Sequence, residues 1–270
     1  MRETFLAVVH FDGGGFVGWQ RQREGRSVQA EFERVLERLG GAPIVAHAAG
    51  RTDAGVHAVG LGVSFSFSRH WEPAPLRRAL NALLSPDCWV ESVLPMRPSF
   101  HARKSAVARR YRYDVGTDEA AASPFRRRYE WAVGRPLDLA SLQAAAVVVQ
   151  GEHDFQPFSV RGQQKPHWRC RIAFSEWRER PEGQGVCYEV EADRFLHHMV
   201  RMLVGTMVDI GLGRRPVADM SALLLRGDNL ETSPPAPAEG LYFVSATYPA
   251  DCYMESNREA LAEPAAVPPT

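Results

Sequence analysis

Lysine is nearly missing from this chain. Of 32 basic residues only Lys104 and Lys165 are lysine, so no phosphate-loop lysine follows the Gly13-Gly14-Gly15 run. The G-x-G-x-x-G helix context is missing too, which excludes a nucleotide loop there and leaves a mobile loop as the expectation. Cysteine is also sparse: Cys88, Cys170, Cys187 and Cys252 contain no C-x-x-C pair. That excludes a zinc ribbon or a disulfide framework and fits buried or surface thiols in a reducing cytoplasmic setting. No apolar run approaches the roughly 18 residues that span a bilayer, so no membrane partner is expected. Met1 leads directly into the strand-like Phe5-Leu6-Ala7-Val8-Val9, without a basic region and cleavage site, so no signal peptide is expected. Net charge is formally zero.

What is present is ordinary soluble composition with an uneven charge distribution. The chain has 270 residues, 45% hydrophobic and 24% charged, enough to bury a large core or two smaller ones. Between Arg97 and Arg135 stand ten basic residues against four acidic ones. Arginine forks suit phosphates and stack on bases, so this cluster points toward nucleic acid. The overall scarcity of lysine is accounted for by a GC-rich coding bias; the local clustering is the more informative signal.

Periodicity divides the chain into two similar halves. Thr4–Phe11 reads as a buried strand. Ser27 caps a helix with Val28, Phe32, Val35, Leu36 and Leu39 on one face, closed by Gly40-Gly41. A half-buried strand over Leu61–Phe67, a helix over Pro75–Leu84 and a strand over Trp89–Leu94 complete the first half. The second repeats the order. Its elements are a strand over Arg110–Gly116, an Asp138-capped helix to Gln150, and strands over Ile172–Arg178 and Val186–Ala192 with a hairpin across Pro181-Glu182-Gly183. A long helix from about Arg194 to Ile210, a short helix before Asn229 and a strand over Leu241–Tyr248 follow. The expectation is an α+β fold of two related units on antiparallel sheet, residues 1–105 and 106–250, with 251–270 a disordered tail.

The chemistry-bearing stretch is Gly50-Arg51-Thr52-Asp53-Ala54-Gly55-Val56-His57-Ala58. Glycines allow a sharp turn, and a carboxylate on it beside a cation favours its ionised form and can serve as a nucleophile. Turn chemistry alone explains the same residues, so three other segments matter. Phe100–Tyr113 interleaves Arg109, Arg110 and Arg112 with Tyr111 and Tyr113, pairing phosphate contacts with stacking faces. As a strand it places the tyrosines on one face and Arg110 with Arg112 on the other. In Phe195–Leu203, His197, His198 and Arg201 share a helix side. Adjacent histidines lack the i, i+4 spacing of helical metal ligands and no third ligand motif accompanies them, so no metal is expected. Arg201 among apolar neighbours needs a carboxylate, and Asp53 is a candidate. Glu239–Val244 opens the last strand. A glycoside hydrolase would need a second carboxylate across the bond, which the Asp53 motif does not offer.

Together these segments resemble the TruA family of tRNA pseudouridine synthases. Phe16-Val17-Gly18-Trp19-Gln20-Arg21-Gln22 is similar to its F-x-G-W-Q-x-Q, Gly50–Ala58 to its G-R-T-D-A-G-V-H, and Phe100–Tyr113 to its F-H-A-R-x-S-A and R-x-Y-x-Y. His153-Asp154-Phe155 with Phe158, Phe195–Arg201 and Gly240-Leu241-Tyr242 match three later motifs. The resemblance implies two pseudo-symmetric ferredoxin-like halves around a central cleft, and a homodimer that clamps tRNA. It implies isomerisation of uridine at positions 38–40 of the anticodon stem-loop, without cofactor or metal. By matching position, Asp53 is the nucleophile that forms a covalent adduct, and Arg51 fills the stack when the nucleotide flips out. Tyr111 stacks on the base, Arg201 pairs with the carboxylate and Leu241 packs on the flipped ring. His57, Arg109 and Arg110 are expected to bind substrate. Lys165-Pro166 departs from the usual Arg-Thr. A tRNA-binding module without chemistry would not require the intact Arg51, Asp53, Tyr111 and Arg201 set.

Overall fold

The computed structural model describes residues 2–160 and 167–255; Lys165-Pro166 and the end of the chain lie outside them. The first half runs β1 (Glu3–Phe11), α1 (Val28–Gly40), β2 (His47–Ala48), β3 (His57–Phe67), α2 (Pro73–Leu83) and β4 (Cys88–Met96). The second runs β5 (Ala108–Gly116), β6 (Trp131–Ala132), α3 (Leu139–Val148), β7 (Gly151–Asp154), β8 (Arg169–Glu179) and β9 (Gly185–Ala192). It ends with α4 (Met199–Gly211), α5 (Ala218–Leu224) and β10 (Leu241–Thr247). Both halves contain the same β-α-β-β-α-β core. In the first the strand order is β4-β1-β3-β2 and in the second β10-β5-β9-β8, so the two have the same topology.

The halves share one continuous sheet in place of two separate ones, and the reason lies at one strand edge. β2 is two residues long and pairs β3 only at Ser64 and Val63. The beginning of that edge is left open, and β10 fills it with a parallel pairing of Tyr242 with His57 and Phe243 with Ala58. The remaining ladders are antiparallel apart from the short β5–β6 pair. Gly60 makes the junction close: a Cβ there would overlap the Val244 carbonyl of β10.

Local chemistry agrees with the elements. Ser27 caps α1 through its hydroxyl, which accepts from Ala30 N, and Gly41 ends the helix in the left-handed region at φ 75°. Asp138 caps α3 in the same way, accepting from Ala140 N. Cross-strand ladders build the second core: Leu241 lies opposite Tyr113, Tyr113 opposite Tyr188, and Tyr188 opposite Trp177. Trp177 is fully buried and donates its indole N–H to Met207 Sδ of α4 at 3.2 Å. The other face of this sheet is polar, carrying Arg110, Arg112, Glu189 and Glu191.

Three expectations need correction. Gly13–Gly15 forms a 3-10 turn where an irregular loop was expected: Asp12 caps it, and Gly13 packs against the Val56 carbonyl too closely for any side chain. The helix expected from Arg194 begins at Met199, because the chain up to His198 is a tight turn. Residues 251–253 are not disordered, since Ala250–Cys252 forms a 3-10 turn and Tyr253 is buried and bridges Met96 of β4; the rest of the expected tail beyond residue 255 lies outside the described residues.

The Gly60→Ala variant must open the β3–β10 junction or shift a backbone carbonyl. Overpacking of this kind costs about 1–3 kcal/mol. Thermal unfolding is therefore expected at a lower temperature than in the wild type, and an unchanged midpoint would show that the junction is not tight.

Candidate active site

The loop from Ala49 to Val56 joins β2 to β3, just where the β3 edge passes from β2 to β10. It is braced from the Phe16–Gln22 segment. Trp19 N donates to the Thr52 carbonyl (3.1 Å) and Gly55 N to the Phe16 carbonyl (3.3 Å), and within the loop Val56 N donates to the Asp53 carbonyl (3.2 Å). Gly18 has φ of 100°, and a Cβ on it would come within 2.6 Å of the Thr52 carbonyl oxygen. Only glycine tolerates both the backbone angle and the approach. Beneath this segment Gln29 accepts from Arg21 N and Gln20 Nε2, and donates to buried Glu33, which in turn pairs Arg21 and accepts from Ala46 N.

Asp53 stands at the centre. Arg201, three residues inside α4, donates from Nη1 to Asp53 Oδ2 at 3.2 Å, while its Nε is fixed on the Ala236 carbonyl at 2.7 Å. His197 Nε2 lies 3.3 Å from Oδ1 and His198 Nε2 3.4 Å from Oδ2. The carboxylate therefore lies near the N-terminal end of α4, with one guanidinium donor and two imidazole nitrogens around it. His198 itself titrates below the ordinary histidine range because of burial, against the pull of the Asp53 charge.

Tyr111 of β5 lies in a nest of rings, 4.9 Å from Phe195 and 5.0 Å from Phe243, both edge-on. Gly50 fits against this group; a Cβ there would stand 3.0 Å from the Phe243 ring and 3.3 Å from the Tyr111 hydroxyl. Burial, helped by the Asp53 charge, pushes the Tyr111 phenol well above its usual range, so it is a neutral donor. Leu241 and Phe243 alternate onto the Tyr111 face of β10, with Leu241 buried opposite Tyr113. Gly240 gives way to the Tyr113 ring, whose hydroxyl donates to the Pro237 carbonyl at 2.7 Å. Arg51 is exposed and makes no hydrogen bond or ion pair among the described residues.

Three residues expected to bind substrate are placed elsewhere. His57 is buried, accepts from Gly13 N at Nδ1 (3.0 Å), and so donates from Nε2 to the Arg128 carbonyl (3.0 Å). It stacks on Tyr242 at 5.0 Å, and no ring nitrogen is left for a ligand. Arg109 spends its guanidinium on four carbonyls, those of Ala49, Arg103, Ala106 and Asp193. It ties the Asp53 loop to the turn that leads into His197. Arg110 projects from the opposite face of β5 to Tyr111 and pairs with Glu191 and Glu189. Much of the Arg97–Arg135 cluster is likewise neutralised, Arg112 by Asp114, Arg126 by Asp118 and Glu130, and Arg128 by Asp12.

Sequence reasoning brought Asp53, Arg201 and Tyr111 together, but missed the contribution of both histidines, Phe195 and Phe243. The signal for the histidines and Phe195 was the Phe195–Arg201 run itself, read there as one continuous helix; Phe243 lies on the last strand. Asp53, His197 and His198 present three ligand atoms within 4.8 Å of one another, the one such group among the described residues. Arg201 places a permanent cation on the same carboxylate, which opposes capture of a divalent ion.

A family model described as tRNA pseudouridine synthase matches residues 145–249. Proteins named tRNA pseudouridine synthase A are similar over nearly the whole chain. That of Hydrogenovibrio crunogenus is 38% identical over 247 residues, covering 91% of this chain and 93% of its own. That of Methylobacterium sp. (strain 4-46) is 39% identical over 252 residues, covering 91% and 97%. The chain belongs to the tRNA pseudouridine synthase A family. The mixed α+β architecture and the large, mostly antiparallel sheet agree with that membership.

His57 gives a test of the scaffold. Burial holds its folded pKa below the ordinary value of 6.5. The unfolded chain then binds the proton more readily, so this contribution to stability is complete above pH 6.5 and is lost as pH falls toward the depressed folded value. His57→Asn keeps an acceptor for Gly13 N without a titrating ring. The difference in unfolding midpoint between wild type and variant should narrow below about pH 6.5, as followed by circular dichroism; a constant difference would refute the assignment.

Proposed function

We propose that this protein isomerises uridine to pseudouridine in the anticodon stem-loop of tRNA, at positions 38–40, through a covalent adduct of Asp53. The observation that carries the reading is one carboxylate, held by Arg201 and faced by two histidines beside a phenol and an apolar wall, with no second acid paired to it among the described residues. A lone carboxylate suits a reaction in which the leaving group is also the electrophile's next partner. The C1′–N1 bond breaks, uracil turns within the site, a C1′–C5 bond forms, and the proton lost from C5 is balanced by one gained at N1. No water is consumed and no redox change occurs, so the family's cofactor-free chemistry needs only groups of this kind.

The roles follow from position. Base flipping makes the target reachable, and Arg51, exposed and unpaired among the described residues, is free to enter the vacated stack. Leu241 and Phe243 supply an apolar wall and Tyr111 a ring face and a donor. A phenol pushed upward in pKa stays protonated, which favours stacking and hydrogen bonding over acceptance of the C5 proton. Arg97, Arg103, Lys104, Arg127 and Arg135 have no acidic partner among the described residues and remain for phosphate contacts. The two halves, 1–105 and 106–250, face the cleft as pseudo-symmetric units, two chains pair to clamp one tRNA, and the enzyme works in the cytoplasm.

Asp53→Asn should form no pseudouridine in an unmodified tRNA transcript while still binding it, measured by carbodiimide mapping and by filter binding. A variant that isomerises at the wild-type rate would remove Asp53 as nucleophile; modification outside the anticodon arm would remove the site assignment. Sedimentation equilibrium of the free protein should give twice the chain mass, and a monomer would refute the pairing.

A further inference from the structure

Two non-glycine residues among those described have positive φ, Glu182 at 57° and His198 at 63°. Glu182 belongs to the exposed hairpin turn between β8 and β9, where such a backbone is ordinary. His198 is different. It occupies the position before α4, where an extended Ser, Thr, Asp or Asn would normally cap the helix, and its side chain caps nothing. A β-carbon in the left-handed region crowds the following carbonyl, and such outliers gather where function holds them.

The strained angle has a visible consequence. It turns the chain between Phe195, which packs on Tyr111, and Arg201, which pairs with Asp53, so that both histidine rings face the same carboxylate. Their centroids stand 4.2 Å apart, yet they divide the oxygens, His197 on Oδ1 and His198 on Oδ2. The two sides differ in depth. His197 is 45% exposed, whereas His198 and Arg201, which share Oδ2, are 27% and 16% exposed.

We propose that His198 is a positioning residue for the nucleophile, held in the left-handed region because only there does its ring reach Asp53 Oδ2. The inference rests on the reaction proposed above. With Oδ2 anchored by His198 and Arg201, rotation of the carboxylate is stopped and Oδ1 is the atom that bonds to the uridine. The incoming nucleotide replaces the outer His197 at Oδ1, while the inner pair stays in place. Uridine binding itself does not depend on His198.

Three full-length variants separate this from a merely structural role. His198→Gly removes both the ring and the strain. His198→Gln keeps an N–H donor at similar reach and retains the strain, and His198→Leu retains the strain without a donor. With an unmodified tRNA transcript, His198→Gly is expected to unfold at or above the wild-type temperature. Its KM should hold within about twofold while kcat falls about 100-fold, the scale of loss from a small misplacement of a reacting group. His198→Gln should recover at least about tenfold over His198→Leu, since the two differ mainly in the donor. The proposal is overturned if His198→Gly keeps kcat within about threefold of wild type, or if Gln and Leu are equally slow. Should His198→Gly fail to fold, the Gln and Leu pair decides alone. Wild type assayed alongside separates the two readings: no pseudouridine from wild type refutes the reaction, whereas active wild type with equally active variants refutes only the role of His198.

Discussion

The parallel pairing of β10 with the first residues of β3 is the contact on which the rest depends. Two register positions, Tyr242 with His57 and Phe243 with Ala58, join two similar sheets into one. They are available because β2 is too short to cover the whole β3 edge. An open strand edge invites pairing by whatever can reach it; here the last strand of the second half does so. As a result the loop that carries Asp53 from the first half is set beside Tyr111, Phe243 and the start of α4 from the second.

Placed at that junction, the carboxylate is surrounded without being sealed. It is held by one permanent cation and faced by two histidines near a helix N-terminus, while its own exposure leaves a path for a ligand. Arg109 serves the same geometry from behind. Its four carbonyl contacts connect the Asp53 loop, the segment between the halves and the turn before His197. A guanidinium facing only carbonyls gains hydrogen bonds but no countercharge, and burial lowers its pKa accordingly. Such an arginine fixes backbone positions that a shorter or single-donor side chain would leave loose.

Much of the fold was legible because its signals are local. Ser27, Asp138 and the Gly40-Gly41 pair mark helix ends through hydrogen bonds made within a few residues. Alternation placed Tyr111 and Tyr113 on one face of β5 and Arg110 and Arg112 on the other, as found. The errors share a cause. Gly13–Gly15 read as a loose loop because its partners, Val56 and His57, lie over forty residues away. His57 and Arg109 read as substrate contacts because their types suit RNA, whereas burial and distant carbonyls had already taken their polar atoms. The histidine pair was set on a helix face because nothing local announces a left-handed residue at His198.

The sequence by itself determined which elements form, that they form twice, and which residue types could perform nucleophilic chemistry, since propensity, capping and motif spacing act over short stretches. Only the tertiary structure decided what surrounds Asp53. Whether an arginine stabilises an anion, clamps a loop or faces solvent depends on which charges and carbonyls come within a few ångströms of it. Those neighbours are set by strand pairing between residues far apart in the chain, not by the residues on either side.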